Sequence, residues 1–155
     1  MIRAIIFDLW NTLAYNEEPN PIIELKQRFG ITDLKLIEKA VMTQEFETEK
    51  DMLKAFCEFF NIVPNEKLLS ELLMRFRAGT SKSRLFDDVI PALKELKKKY
   101  ILCLLSNTDS FSAQALTKHG LFSYIDHQCL SCDVGLIKPD PAIFELMLEK
   151  LNLNP

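Results

Sequence analysis

The sequence predicts an α/β fold, in which a doubly wound parallel sheet of the Rossmann-like type carries an inserted unit of α-helices. Three short apolar runs, Ile2–Phe7, Ile101–Leu105 and residues 124–129, have the composition of strands that are buried on both faces of a parallel sheet. Helical patterns follow the second and third runs, and this alternation is typical of a doubly wound core. Residues 16–83 instead carry four helical patterns with no strand between them.

Residues 1–15 and 84–155 are therefore predicted to form the core, and residues 16–83 a helical cap subdomain. Asn20 and Pro21 predict the start of the first cap helix, because asparagine is a common N-cap and proline is favoured at the first helical position. The other predicted helices are Asp33–Phe46, Lys50–Phe60 and Asn65–Arg77 in the cap, with residues 79–83 as the linker out of it, and Asp88–Lys99, Ser110–His119 and Asp140–Leu151 in the core.

Length and charge restrict the class of function. The chain has 155 residues and a formal net charge of −3, whereas nucleic-acid-binding modules usually present a basic face, so we expect no nucleic-acid partner. No apolar stretch approaches the roughly 18 residues of a membrane span, and the first apolar run is too short for a signal peptide. These observations predict a cytoplasmic protein with no membrane partner.

Two of the four cysteines, Cys129 and Cys132, form a C-x-x-C pair. A structural zinc site usually needs two such pairs, and a redox pair usually has its first cysteine at a helix N-terminus. Because the sequence offers neither arrangement, we expect no metal or redox chemistry at this pair.

Polar residues follow each predicted strand, at Asp8–Thr12, at Ser106–Thr108 and in the loop that reaches Lys138. Open α/β sheets bind ligands at the carboxyl ends of their strands, so these residues are expected to converge. An aspartate beside a lysine suits nucleophilic displacement, because the lysine keeps the carboxylate ionised and offsets the negative charge that develops on the substrate. Hydrogen bonds to a small anionic substrate are expected from Thr12, Ser106 and Asn107.

Each polar cluster also has a purely structural interpretation. Asp8 can be a turn residue, Asp109 can be the N-cap of the helix that follows Ser106–Thr108, and Lys138–Pro141 can be a rigid helix entry. The order of the three clusters and their common place at strand ends favour the catalytic interpretation.

Three motifs resemble those of the haloacid dehalogenase (HAD) superfamily. Phe7-Asp8-Leu9-Trp10-Asn11-Thr12-Leu13 resembles its first motif, Leu105-Ser106-Asn107-Thr108 its second, and the segment from Asp133 to Pro141, which contains Lys138, its third. The helical insertion lies where the C1-type branch of this superfamily has its helical cap. The resemblance implies a hydrolase, most often of small phosphate esters, with a 2-haloacid dehalogenase as the alternative.

The resemblance also implies a role for each residue. Asp8 would attack the substrate and form a covalent aspartyl intermediate, Ser106 would bind the transferring group, and Lys138 would brace both Asp8 and the substrate. A Mg²⁺ ion would lie against the Asp8 carboxylate and the backbone carbonyl of Trp10. Trp10, Thr12 and Asn107 are the expected substrate contacts.

Trp10 departs from the phosphatase pattern, which has at this position a second aspartate that protonates the leaving alcohol. Tryptophan has no titratable group for this task. Dehalogenases of the superfamily usually have a tyrosine there, so Trp10 favours a dehalogenase, or else is an aromatic wedge at the cap interface. Phe144 argues the other way, since it stands where those dehalogenases tend to have a tyrosine. Their cap arginine has four candidates here: Arg28, Arg75, Arg77 and Arg84.

The sequence also stops at Asn154-Pro155, before the strand and the acidic motif with which the superfamily completes its magnesium site. That strand normally pairs with the first strand, so the resemblance predicts that Ile2–Phe7 is an exposed apolar edge. The resulting hypothesis is a truncated or proteolysed chain that self-associates through this edge and is catalytically weak. The non-enzymatic alternative is a binding module or an inactive remnant.

Overall fold

The computed structural model describes residues 2–17 and 21–152, with the backbone alone at Pro21. Asn20, the predicted N-cap of the first helix, lies outside these residues. The strands are β1 (Ala4–Phe7), β2 (Ala14–Asn16), β3 (Ser83–Leu85), β4 (Ile101–Ser106) and β5 (His127–Leu130). The helices are α1 (Pro21–Phe29), α2 (Leu34–Val41), α3 (Glu49–Phe59), α4 (Glu66–Ser81), α5 (Val89–Leu96), α6 (Ser110–Gln114), α7 (Ser131–Val134) and α8 (Pro141–Leu151).

Three strands form a parallel sheet in the order β1-β4-β5. The register pairs Phe7 with Leu104 and Ser106 with Leu130, so the carboxyl ends of the three strands lie at one edge. This sheet, together with its surrounding helices, confirms the predicted α/β Rossmann-like class.

Both faces of the central strand are covered. Leu102 and Leu104 belong to a hydrophobic cluster that includes Leu93 of α5, whereas Cys103 and Leu105 pack in a second cluster with Met147 of α8. Side chains alternate between the two faces of a strand, so the nearly unbroken apolar sequence of β4 follows from burial on both sides.

The helices α1–α4, which we call the helical unit, share a hydrophobic cluster of their own, with Ile37, Met52 and Phe56 fully buried. Side-chain caps define the starts of α2, α3 and α4, and at α2 the Asp33 Oδ1 atom accepts a hydrogen bond from the N–H of Lys35 at 2.9 Å. The hydroxyl of Thr48 accepts a hydrogen bond from the N–H of Asp51 at 3.1 Å, and the Asn65 Oδ1 atom accepts one from Leu68 at 2.9 Å. A separate core supports a separate unit, and we propose the division at residues 16–83 on this basis.

The exit from the helical unit differs from the predicted linker at residues 79–83. Helix α4 continues to Ser81, and β3 then pairs with β2 in an antiparallel ribbon that joins Ala14 to Leu85 and Asn16 to Ser83. Backbone pairing between the two connecting segments explains why both are extended, and a three-residue strand is too short to show the alternation that predicts a strand from sequence.

Several other boundaries also differ from the prediction. Helix α2 ends at Val41 rather than at Phe46, and α6 ends at Gln114 rather than at His119. In both places a threonine hydroxyl beyond the helix end donates to a helix carbonyl: Thr43 to Lys39 and Thr117 to Gln114, each at 2.8 Å. Such local bonds offer the backbone an alternative to another helical turn.

The third strand also lies further along the chain than predicted, at His127–Leu130 instead of residues 124–129, and the segment predicted as a loop begins with α7. Just before this strand begins, the N–H of Asp126 donates a hydrogen bond to the carbonyl of Leu102, on β4, at 2.8 Å. Gly120, which follows the short helical turn Thr117–His119, has a left-handed φ of 73°. None of the described helices is long and apolar enough to cross a membrane.

β1 is an edge strand within the described part of the chain, where it pairs with β4 alone. Ile2 is 71% exposed and Ile6 43% exposed. An exposed apolar edge with unpaired backbone groups is prone to pair with another strand.

We expect the 155-residue chain to self-associate through β1 as its concentration rises. Ile6→Lys places a charge on the edge strand and is expected to shift the mass towards the monomer, as measured by size-exclusion chromatography with light scattering. Val63→Lys, at a residue 86% exposed in the loop between α3 and α4, is the control that should leave the mass unchanged. A wild-type chain that is monomeric at every concentration would contradict this expectation.

Candidate active site

Asp8 and Lys138, predicted to meet, form an ion pair at the carboxyl edge of the sheet. The Lys138 Nζ atom lies 2.8 Å from the Asp8 Oδ1 atom and also donates to the carbonyl of Leu105 at 3.1 Å. The N–H of Leu9 donates to the same Asp8 oxygen at 2.7 Å. The side chains of Asp8 and Lys138 are 43% and 24% exposed. Their charged groups are thus fixed by several contacts but still reachable by a ligand.

A tight loop after β1 holds the Asp8 carboxylate in place. The carbonyl of Leu9 accepts hydrogen bonds from Leu13 and Ala14, both at 2.9 Å, and Asn11 has a left-handed φ of 59°. Asparagine is among the residues that tolerate this conformation. Leu9 is completely buried, so the loop is anchored in the core directly beside the carboxylate.

Asn107 fastens the lysine loop to the end of β4. Its Oδ1 atom accepts from the N–H of Lys138 at 2.8 Å, and its Nδ2 atom donates to the Lys138 carbonyl at 3.2 Å. The same Nδ2 atom donates to the Glu38 Oε2 atom, on α2, at 3.1 Å. Asn107 was predicted to donate to the substrate; in this structure its amide connects the core, the lysine loop and the helical unit.

Ser106 and Thr12 occupy contrasting places. Ser106 is 1% exposed, and its hydroxyl has a long contact of 3.4 Å to the Asn107 carbonyl. Thr12 is exposed in the loop after β1. Their roles in substrate binding stay predictions.

Trp10 connects the loops after β1 and β4. Its indole Nε1–H donates to the Thr108 hydroxyl at 3.1 Å. The Thr108 N–H in turn donates to the Ser131 hydroxyl at 2.9 Å, and that hydroxyl donates back to the Thr108 carbonyl at 3.1 Å. One chain of bonds thus joins the ends of all three strands.

Sequence reasoning missed two of these residues, Ser131 and Glu38. Ser131 is the first residue after β5, so the rule that identified Asp8 would have found it had the strand end been placed at Leu130. Glu38 had no comparable signal, because one glutamate on a surface helix looks like a solvated residue.

A cavity of about 370 Å³ lies between the core loops and the helical unit. Trp10 and Asn107 line it from the core, and Ile22, Leu34 and Met42 line it from the helical unit. Trp10 therefore stands at the interface of the two parts, and its contact with a substrate stays a prediction.

The four arginines considered as substrate ligands are engaged elsewhere. None of them lines the cavity. Each forms an ion pair with a glutamate: Arg28 with Glu71, Arg75 with Glu24 and Glu71, Arg77 with Glu49, and Arg84 with Glu17.

The site supplies some of the oxygen ligands that a magnesium ion needs. Mg²⁺ prefers oxygen ligands and is often held by one or two carboxylates together with substrate phosphates and water. Asp8 supplies one carboxylate, whose Oδ2 atom receives no hydrogen bond from the described residues. The described residues contain no cluster of three or more His, Cys, Asp or Glu side chains that would hold a metal by itself. The residues present fit a magnesium site in which the protein supplies one carboxylate and the substrate supplies further ligands.

The thiols of Cys129 and Cys132 are buried. Burial raises the pKa of both, that of Cys132 to about 12. Since the thiolate is the reactive form, both thiols are poorly suited to nucleophilic attack at neutral pH.

A family model of haloacid dehalogenase-like hydrolases matches residues 2–155. The chain belongs to this family. Its sequence is 38% identical over 95 residues to an uncharacterized protein of Saccharomyces cerevisiae, a match that covers 59% of this chain and 31% of the yeast protein. It is 33% identical over 72 residues to the (S)-2-haloacid dehalogenase 4A of Burkholderia cepacia, covering 45% of this chain and 31% of that enzyme. These matches span less than a third of either relative.

Solved structures of the HAD family share the fold. A HAD family enzyme from Bacteroides thetaiotaomicron aligns with a TM-score of 0.68 at 19% identity, over 99% of this chain and 80% of that one. A structure of the same enzyme with magnesium and inorganic phosphate aligns with a TM-score of 0.66 at 17% identity, over 100% of this chain and 81% of that one. At these identities the alignments establish the fold alone.

Asp109 is the N-cap of α6, as the structural interpretation of its cluster predicted. Its Oδ1 atom accepts a hydrogen bond from the N–H of Ser112 at 2.8 Å. The side chain is almost wholly buried. Burial raises the pKa of Asp109 above its ordinary value, although the hydrogen bonds at the cap oppose the shift. The folded state thus holds this proton more tightly than the unfolded chain, so ionisation of Asp109 destabilises the fold as pH rises from the ordinary aspartate value through the raised one.

Asp109→Asn is expected to keep the cap and remove the buried charge. Relative to wild type, the free energy of unfolding of this variant should increase from acid to neutral pH, as measured by urea denaturation at a series of pH values. Asp109→Ala loses the cap and should be less stable than Asp109→Asn by about 1 kcal/mol. Asp140→Asn, at the exposed N-cap of α8, is the control. A difference between Asp109→Asn and wild type that does not change with pH would refute the argument.

Proposed function

We propose that this HAD-family chain hydrolyses small phosphate monoesters with Asp8 as its nucleophile. The observation that carries the proposal is the 2.8 Å contact between the Lys138 Nζ and Asp8 Oδ1 atoms. The contact joins a fixed cation to a carboxylate whose second oxygen accepts no hydrogen bond from the residues described, at the carboxyl edge of a parallel sheet, which is where such folds bind ligands.

The reaction would take place in two displacements. The Asp8 Oδ2 atom attacks phosphorus, the bond from phosphorus to the ester oxygen breaks, and the alcohol leaves from an aspartyl phosphate. Water then attacks the phosphorus of that intermediate, which releases phosphate and restores the Asp8 carboxylate. The Lys138 ammonium, at the same edge, offsets the negative charge on the transferring oxygens. We assign Ser106 to bind the transferring group, and Thr12 and Asn107 to contact the substrate from the loops around it.

The departing oxygen must obtain a proton without an acid at position 10. The Trp10 indole N–H is committed to Thr108 and does not titrate in the useful range. The proton therefore comes from water, and we expect the enzyme to favour esters whose leaving group is a weak base.

Magnesium would be held by the Asp8 carboxylate and the Trp10 carbonyl, with the substrate phosphate and water as further ligands. Such an ion supplies Lewis-acid stabilisation of charge on the phosphoryl oxygens. The residues of this chain orient the phosphate and provide the nucleophile.

The helical unit would act as a cap over this site. It reaches the core at the Glu38–Asn107 hydrogen bond and forms one wall of the cavity beside Trp10. Exclusion of water from such a site strengthens the electrostatic interactions within it.

A 2-haloacid dehalogenase is the second candidate function, and Trp10 is the observation that favours it, because a halide leaves without a proton. The (S)-2-haloacid dehalogenase named above is a partial relative. Against it, the four arginines considered for carboxylate binding are paired with glutamates outside the cavity.

We expect phosphate release from p-nitrophenyl phosphate in the presence of Mg²⁺, and loss of that activity on chelation with EDTA. Asp8→Asn removes the nucleophile and the partner of Lys138, so kcat should fall by at least about 10³-fold. Asp87→Asn, at an exposed aspartate beyond β3, makes the same chemical change and should retain activity.

The other outcomes discriminate between the hypotheses. Chloride release from (S)-2-chloropropionate without added metal would favour the dehalogenase. Phosphate release equal to that of Asp8→Asn would favour a binding module or an inactive remnant.

Trp10→Asp is expected to supply the missing general acid. It should raise kcat for alkyl phosphates relative to aryl phosphates by up to about 10²-fold, because only the alkoxide needs the proton. Trp10→Phe removes the same indole without adding an acid and is the matched control. An equal change in the two substrate classes, measured by steady-state phosphate release, would contradict the assignment of this position.

A further inference from the structure

The cavity beside Trp10 carries a distinctive charge. Among the described residues that line it, Glu38 alone has a charged side chain; the others are Trp10, Asn11, Tyr15, Asn16, Ile22, Ile23, Leu34, Met42 and Asn107. The residues outside the described ranges, 1, 18–20 and 153–155, include no lysine, arginine or histidine. The described lining of the cavity thus offers a substrate one anionic group and no cationic side chain.

Glu38 has no cationic partner in the described part of the chain. It is half-buried on α2, and its Oε2 atom accepts the Asn107 amide at 3.1 Å. The ion pairs of the described residues do not include it. This sets Glu38 apart from the paired glutamates of the helical unit, such as Glu24, Glu49 and Glu71.

We propose that the site selects phosphate monoesters whose organic part donates hydrogen bonds and carries no negative charge, and that Glu38 accepts those hydrogen bonds. The inference rests on the proposed phosphatase function and specifies its substrate class. An unpaired carboxylate in a partly desolvated cavity attracts an ammonium or hydroxyl group and repels a second carboxylate. Trp10 and Tyr15 strengthen this preference, because aromatic faces attract cations.

The same lining disfavours substrates that contain a carboxylate. A lysine or arginine is the strongest partner for such a group, and Arg28, Arg75 and Arg77 of the helical unit are paired with glutamates away from the cavity. An unpaired like charge facing the ligand is an effective way to exclude it. The proposal therefore separates this enzyme from hydrolases of phosphoglycolate or of 2-haloacids.

The test uses two ligands that match in size and differ in charge. Both O-phosphoethanolamine and 2-phosphoglycolate carry a phosphate on a two-carbon skeleton. The skeleton ends in an ammonium group in the first and in a carboxylate in the second. Trp10 is the single tryptophan of the sequence and lines the cavity, so its fluorescence reports binding. The titrations are carried out in EDTA, which stops turnover under the proposed function. We expect wild-type protein to bind O-phosphoethanolamine at least tenfold more tightly than 2-phosphoglycolate, with isothermal titration calorimetry as the second measurement.

Glu38→Gln tests the residue. Glutamine keeps an oxygen that can accept the Asn107 amide but removes the charge, so the preference should fall below threefold. Glu45→Gln is the matched control, because it makes the same chemical change outside the cavity. Glu45 lies between α2 and α3 and lines a different groove, with Ser110 and Asp133. That variant should retain the tenfold preference.

Equal or tighter binding of 2-phosphoglycolate by wild type overturns the inference, as does a preference that survives Glu38→Gln. An absence of heat and of fluorescence change with both ligands overturns it as well. Since binding is read without turnover, these results are distinguishable from a failure of the proposed function. That failure would appear as an absence of phosphate release from any ester, p-nitrophenyl phosphate included.

Discussion

The pairing of Asp8 with Lys138 is the interaction around which the rest of the site is arranged. The two residues lie 130 positions apart in the chain. The parallel order β1-β4-β5 brings the segments that follow β1 and β5 to one edge of the sheet, where Lys138 also contacts the end of β4. Neither charge stands alone: Leu9 donates to the carboxylate, and Leu105 accepts from the ammonium. A charge that is held by several contacts cannot relax away from a ligand, and such preorganisation is the usual source of electrostatic catalysis.

The parts of this arrangement that follow from local chemistry could be predicted from the sequence. An apolar run ending in Asp8 indicates a strand with a carboxylate at its end, and the order of the three motifs indicates the convergence of Asp8 with Lys138. The contacts that the sequence did not reveal depend on tertiary structure. Glu38 on α2 meets Asn107 only in the folded chain, and the short ribbon of β2 and β3 exists because two distant segments pair. Ser131 was missed through a strand boundary misplaced by one residue.

The helical unit uses its charges in two different ways. Most of its arginines and glutamates pair with one another across helix surfaces, where exposed ion pairs contribute little stability. These pairs nevertheless keep the arginines occupied and away from the cavity. Glu38 is left out of that network and faces Asn107, which holds the lysine loop. The distribution of charge therefore separates the surface of the unit from the wall of the cavity.

The ribbon formed by β2 and β3 has a mechanical consequence. The chain crosses between core and helical unit twice, and the two crossings lie side by side, bonded to each other from Ala14–Leu85 to Asn16–Ser83. A single connecting strand would leave the helical unit free to rotate about it. Two hydrogen-bonded strands can bend together but resist twisting. Opening and closing would then follow one repeatable arc, and each closure would return the same face of α2 to the same loop. The position of the cavity wall would thus depend on the six residues of the ribbon, none of which places a charged group in the cavity.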